Sequence, residues 1–360
     1  MSASFIRYDD PRVEPRVSNE PALQQEIRDL ITRVQHHNLS LHRHGFRGTH
    51  VKTQGILKGT FTANKDLPSH LAVGICSPSN ATSSHPVAIR YANEPSFLTS
   101  DTTPGPRGCG LKIFNVNGDF LDPKGSQTQT QTQDLTFNNA PVLELVDLPT
   151  TVEIFRIRER NFRTPDKIAE EVSQRPDKEL QLAPSKLPNK HFLSYTMYSQ
   201  SAYRWGDCVV KYGLFPAEAM MAKVEGMDVT EKSDPEVLSM WLREYFEDND
   251  AEYELRVQVC KDIEAQSVEN TGMQWDESKF PFETVGSIVF PKGQDPFSAK
   301  RRAAWDHGMR LNVWYGLKEH RPLGSVNRLR KELYETSSKN REEMNARAPK
   351  DIKDVDEIPE

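Results

Sequence analysis

The segment Tyr253-Glu-Leu-Arg-Val-Gln-Val259 alternates apolar and polar side chains without a break. A period of two sends successive side chains to opposite faces, so this segment reads as a strand with one face buried, as in an antiparallel sheet. Short apolar runs set between turn residues repeat the texture at 55–61, 71–76, 87–91, 111–114, 142–146, 207–215 and 285–290, and each is predicted to be a strand. Many strands without regular helical alternation argue for an antiparallel barrel or sandwich followed by helices.

The helical signals lie at the two ends. Asn19-Glu-Pro-Ala is a helix start with proline in its first turn, and Leu23, Ile27, Leu30, Ile31 and Val34 then fall on one face. The stretch 35–48, with His36, His37, His42 and His44 among polar residues, reads as loop or frayed helix. These histidines lack a carboxylate or cysteine that would complete a metal-ligand set. Val237, Met240, Trp241 and Tyr245 are at helical spacing, and the pattern turns helical again from about 296 to Met344. Residues 117–134, with their Gln-Thr repeat, hold too little apolar surface for a core and read as a flexible surface loop. The expected organisation is a polar arm over 1–18, a single domain over 19–344 and a charged, flexible tail over 345–360.

Charge and composition exclude several classes. The 360 residues carry 46 basic and 52 acidic side chains, a net charge of -6, with no basic block that would track phosphates, so nucleic acid is not an expected partner. No segment approaches the roughly 20 apolar residues of a membrane span, and the opening residues have no stretch of signal-peptide length. Glu-Ile-Pro-Glu at the end does not resemble a peroxisomal address, so a cytoplasmic location is expected. Cys76, Cys109, Cys208 and Cys260 stand far apart and suggest neither a zinc knuckle nor a disulfide framework, but reduced, partly buried thiols.

Four segments could carry chemistry. In the helix expected from Ser325, its capping residue, Arg330 and Tyr334 are four apart and share a face, with Arg341 two turns further along it. An arginine next to a phenol favours the phenolate, the form that ligates ferric iron. The plainer reading is a half-buried aromatic beside a surface ion pair. Arg47-Gly-Thr-His50 precedes the first strand, and Phe137-Asn138-Asn139-Ala-Pro enters another. Arg90, inside the apolar strand Ala88-Ile-Arg-Tyr91, must find an anion or reach the surface.

Taken in this order, these segments resemble the catalase superfamily from about residue 40 to residue 341. Arg47-x-x-His50 followed by Gly55 resembles the family's distal-histidine motif. Val87-Ala-Ile-Arg90 resembles the strand whose arginine holds a heme propionate, and 105–114 resembles the segment after it. Asn138-Asn-Ala-Pro is similar to the distal asparagine motif, Arg330-x-x-x-Tyr334 to the proximal one, and 281–290 to the strand before the proximal helix. The resemblance implies an α+β fold, an antiparallel eight-stranded β-barrel with surrounding and C-terminal helices, around a heme b. It implies Tyr334 as the iron ligand and cofactor contacts from Arg47, Arg90, Arg330 and Arg341. His50 would move the proton as a peroxide O–O bond breaks, and Asn138 would orient the peroxide.

The departures define a divergent branch. The chain is shorter than ordinary catalases, Ala92 stands where a small polar residue is expected, and Tyr334-Glu-Thr-Ser-Ser lacks the family's Asp and Pro. Thr49 before His50 resembles the catalase-related allene oxide synthases. Arg321-Pro-Leu-Gly-Ser-Val-Asn-Arg328 resembles small catalase-like proteins. The implied activity is peroxidase or catalase-like oxidoreductase chemistry on hydrogen peroxide or an organic hydroperoxide, with an organic reducing substrate allowed. The alternatives are a hydroperoxide isomerase or dehydratase and a non-catalytic heme-binding protein, as monomer or homo-oligomer.

Overall fold

A computed structural model of the chain describes residues 5–82, 84–121, 131–348 and 350–360. Most of the polar loop expected over 117–134 lies outside the described residues. Nine strands form one antiparallel sheet: β1 (Lys52–Ala63), β2 (His85–Asn93), β3 (Arg107–Ile113), β4 (Gln133–Asn138), β5 (Met197–Tyr198), β6 (Tyr203–Trp205), β7 (Cys208–Pro216), β8 (Ala251–Val259) and β9 (Phe282–Phe290). Their order runs β5-β4-β3-β2-β1-β9-β8-β7-β6, and β5 also pairs with β7. That pairing closes eight strands into a ring, with β6 a hairpin appended to β7. The expected closed eight-stranded barrel with helices is therefore the fold observed.

Alternation explains where the core sits. Leu57, Ile89, Leu111, Leu135, Met197, Leu214, Leu255 and Ile288 each come from a different strand of the ring, and all are buried in one cluster. Each contributes about 1.5–3 kcal/mol on leaving water. The lumen is thus packed with side chains, and any cavity has to lie on the outer wall. On β1 a bulge between Thr53 and Gly55 resets the alternation, so Thr53 and Ile56 both face outward, opposite Ala92 and Arg90.

Two long helices cover the outer face of β2–β4. Glu20–His42 runs through His36, His37 and His42 of the stretch read as loop or frayed helix, because Gln35 and Asn38 are buried and tied down, and His44 lies beyond its end. Gln35 Nε2 donates to the Phe46 carbonyl at 2.7 Å and Asn38 Nδ2 to that of Ser96 at 2.6 Å. Ser325–Asn345 carries Tyr334. Its N-cap is Gly324 at φ 85 and not Ser325, whose hydroxyl is buried without a partner.

Other expectations are corrected. Residues 71–76 form a turn and a 3-10 helix (Gly74–Cys76): Gly74 adopts φ 56, and a Cβ there would stand 2.0 Å from His320 Nε2. Residues 142–146 are a turn with Val146 at φ 53 that leads into the helix Leu148–Arg160, capped by Asp147. The helical pattern expected from 296 onward breaks after the π-helical turn Ala303–His307 and resumes at Ser325. Along the charged tail, Ile352 and Ile358 are buried beside Trp305 and Met309, and Arg301 donates to the Pro359 carbonyl at 2.9 Å. The arm is tied down too, Val13 being buried with Val209 and Cys260.

Candidate functional site

Strand register builds a flat floor on the barrel's outer wall. Ala92, Gly108 and Asn138 stand side by side across β2, β3 and β4, and the next outward row is Arg90, Gly110 and Thr136. Three of these six residues have little or no side chain. A Cβ on Gly110 would meet Leu311 Cδ1 at 2.9 Å, so this strip of sheet accepts close approach only because it is glycine. Above it lies a cavity of about 480 Å³, within the range of roughly 300–1,000 Å³ of small-molecule sites.

His50 enters the floor from the residues before β1. Its backbone is left-handed at φ 54, a conformation that costs energy for a residue with a side chain. Two contacts hold it there: its N–H donates to the Glu94 carbonyl at 2.8 Å, and its own carbonyl accepts from Arg90 Nη2 at 2.8 Å. The imidazole lies over Gly108 beside the Asn138 side chain. Loss of water and the charges of Arg90, Arg330 and Arg47 push its pKa down to about 3, so it is neutral at physiological pH.

Asn138 is oriented from the other side. Its Nδ2 donates to Gln200 Oε1 at 3.0 Å, and Gln200 Nε2 in turn donates to the Val142 carbonyl at 2.5 Å. Its Oδ1 is buried without a partner, so the cavity wall offers an unmet acceptor next to a neutral imidazole. Thr49 also lines this wall.

The opposite wall is one face of the Ser325–Asn345 helix, from which Arg330, Leu333, Tyr334, Ser337, Ser338 and Arg341 reach the cavity. Arg330 Nη1 donates to Ser201 Oγ at 3.1 Å and Asn327 Oδ1 at 3.0 Å. No carboxylate is among these partners. Burial works against its charge, but Tyr334, Tyr203 and Tyr212 outweigh it and raise the pKa. Burial raises the Tyr334 pKa as well, while Arg330 opposes that rise. An electropositive acceptor such as a ferric ion would release the phenol proton and give Arg330 an anion.

The third group is a cluster of arginines at one end. Arg47 Nη1 and Arg90 Nε each lie 3.1 Å from Asp306 Oδ1, and the Thr53 hydroxyl donates to the same carboxylate at 2.8 Å. Arg341 Nη1 donates to the Asp306 backbone carbonyl at 2.7 Å. Burial raises the Asp306 pKa, but Arg90 and Arg47 more than reverse this and hold the carboxylate ionised. Val142, Leu143, Phe155, Leu180, Leu187 and Leu329 also line the cavity, with Glu144, Thr151 and Gln274 among them.

No protein-family model matches the chain, and no curated protein matches its sequence. Solved structures do match. A fungal catalase superposes with a TM-score of 0.61 and 16% identity, over 94% of this chain and 64% of that one. Catalase A from Saccharomyces cerevisiae gives 0.62 and 16%, over 94% and 67%, and a bacterial catalase 0.56 and 15%, over 91% and 61%. The fold is that of the catalases. The catalase-like barrel here spans less than two thirds of the fungal catalase's length, and at such identity the likeness extends to the fold alone.

Within this catalase-like fold, all eight candidate residues (Arg47, Thr49, His50, Arg90, Asn138, Arg330, Tyr334 and Arg341) line one cavity. Sequence reasoning missed Asp306, Thr53 and Gln200. Asp306 and Thr53 sit in no motif, and the left-handed Gln200, φ 61, carries no glycine or asparagine signal. His36, His37, His42 and His44 do not gather: His37 Nε2 lies 3.0 Å from Glu159, and His42 and His44 pack on Phe46. Among the described residues no group of three or more His, Cys, Asp or Glu side chains could hold a metal, and no helix is long and apolar enough to cross a membrane. All four cysteines are free and buried.

Proposed function

We propose that the chain binds heme b against the β2–β4 wall through Tyr334 and uses it in oxidoreductase chemistry on a peroxide. The residues fit the group on three counts. The small-residue floor admits a flat ligand, the arginine end suits its carboxylates, and Tyr334 provides an oxygen ligand whose phenolate, disfavoured by burial in the empty site, Arg330 would stabilise once iron displaced the proton. Heme in this cavity would supply the iron that takes up oxidising equivalents when an O–O bond breaks.

The observation that carries the reading is the pairing of neutral His50 with the unpartnered Oδ1 of Asn138 in the cavity that Tyr334 also lines. With hydrogen peroxide, Asn138 Oδ1 accepts a hydrogen bond from one O–H and fixes its orientation while His50 acts on the other; with an organic hydroperoxide the single O–H goes to His50. His50 takes a proton from one peroxide oxygen at its ring nitrogen and returns it to the other. An organic hydroperoxide is favoured over hydrogen peroxide, because Leu143, Phe155 and Leu180 in the lining offer surface for a hydrocarbon chain.

The test is the absorption spectrum of the protein expressed with heme precursor, alongside Tyr334→Phe, followed by peroxide consumption by the native protein and His50→Ala. A high-spin ferric Soret band altered in Tyr334→Phe, with turnover of cumene hydroperoxide lost in His50→Ala, is expected. Full turnover by His50→Ala would overturn the role given to the histidine. Absence of heme from the native protein would overturn the reading as a whole.

A further inference from the structure

Asp306 brings one negative charge to a wall that carries three positive ones. Arg47, Arg90 and Thr53 surround its carboxylate at 2.8–3.1 Å. Arg341, which binds the Asp306 carbonyl, keeps its Nε buried with no partner. Arg90 and Arg341 are buried and the Arg47 side chain is 21% exposed; guanidinium groups so placed need anions, and one carboxylate among three arginines leaves the wall short of negative charge. The backbone beneath is unusual as well. Asp306 sits on the π-helical turn Ala303–His307, a departure from α-helix that concentrates at sites where a chain changes shape or binds a ligand. Arg47 Nη2 holds the neighbouring Trp305 carbonyl at 2.8 Å, so the arginines grip the turn by backbone as well as by side chain.

We propose that the Asp306 carboxylate is a displaceable occupant of a carboxylate-binding pocket made by Arg47, Arg90 and Thr53. An acidic group of the cavity's ligand takes that pocket, Asp306 leaves it on the π-helical turn, and Arg341 Nε meets a second acidic group. The ligand class is a dicarboxylate with a flat apolar body. Resting on the heme reading above, the inference makes Asp306 the chain's own competitor for the heme acid groups: it keeps the arginines paired before loading and sets how readily the ligand enters.

Binding of metal-free protoporphyrin IX and of its dimethyl ester, followed by quenching of tryptophan fluorescence in the native protein and in Asp306→Asn, tests this without any turnover assay. Asp306→Asn is expected to bind the diacid about tenfold tighter than the native protein, with the ester unchanged. Equal effects on diacid and ester would overturn the exchange. Sodium acetate is expected to raise the melting temperature of Asp306→Asn and not of the native protein, and no effect on either would overturn the pocket itself. If neither porphyrin binds, the heme reading falls, while acetate stabilisation of Asp306→Asn still supports the pocket. Should Asp306→Asn fail to fold, hydrogen exchange of the native protein decides: the diacid, and not the ester, must speed exchange over Ala303–His307.

Discussion

His50 and Asn138 converge over a residue with no side chain: a Cβ at Gly108 would stand 2.4 Å from Asn138 Oδ1 and 2.5 Å from His50 Cε1. Both distances are far inside van der Waals contact, so Gly108→Ala must drive the imidazole and the amide apart. Displacements of about 1 Å at reacting groups cost on the order of 100-fold in rate. The expected outcome is that loss of peroxide turnover with the far-ultraviolet circular dichroism and the Soret band both retained. Unchanged turnover would mean that the two side chains do not act on one substrate.

Tyr334 holds its phenol proton more tightly than a free tyrosine, so ligation of ferric iron at neutral pH has to expel it. Hemin added to the protein in weak buffer with an indicator dye is expected to acidify the solution. Tyr334→Phe should release no such proton and bind hemin at least roughly tenfold more weakly, the scale of even an outer-shell loss at a metal site.

Acid should unfold the protein through its buried neutral histidines. Burial is the main cause that lowers the pKa of His50 and of His320 to about 3, from an ordinary value of 6.5. His320 Nε2 accepts the Ile75 N–H at 2.9 Å and cannot do so once protonated. Each folded-state pKa lies below its unfolded value, so in the window between them the unfolded chain binds protons that the folded chain refuses. Stability therefore falls as pH drops through 6.5 and flattens only near 3. Urea unfolding from about pH 7 to about pH 4 should show a shallower acid limb for His50→Gln, by a few kcal/mol at about 1.4 kcal/mol per pKa unit. An identical slope would mean that His50 takes up its proton in the folded state.

Lys112 and Asp134, 1% and 0% exposed, form an ion pair at 2.6 Å on the same outer wall. Asp134 also accepts the Asn312 N–H at 2.9 Å, which anchors the segment that lays Leu311 over Gly110. Asp134→Ala strands a buried lysine charge, and the expected loss is about 3–5 kcal/mol. Lys112→Met combined with Asp134→Leu should recover most of it, because neither charge remains. Urea midpoints of the single and double variants check this.

The barrel was legible where period two is strict, as at Tyr253–Val259, because a one-sided strand has few alternatives. It was misread at 142–146, where apolar residues serve a turn whose left-handed Val146 no propensity signals. The short strand Met197–Tyr198, which closes the ring, shows no alternation in two residues. Helical spacing was enough to put Arg330, Tyr334 and Arg341 on one wall. Asp306 was out of reach of such reasoning, since its partners Arg47 and Arg90 lie more than two hundred positions earlier, and nothing local marks it.

The cavity between sheet and helix is a stretch of core that the chain does not fill for itself. A molecule that fills it would act as a folding element, adding apolar contact that neither Gly108 nor Gly110 can provide. Such a protein should survive heat and proteolysis in proportion to ligand supply, by RT ln(1 + [L]/Kd). Its abundance in a cell would then report how much ligand the cell had made.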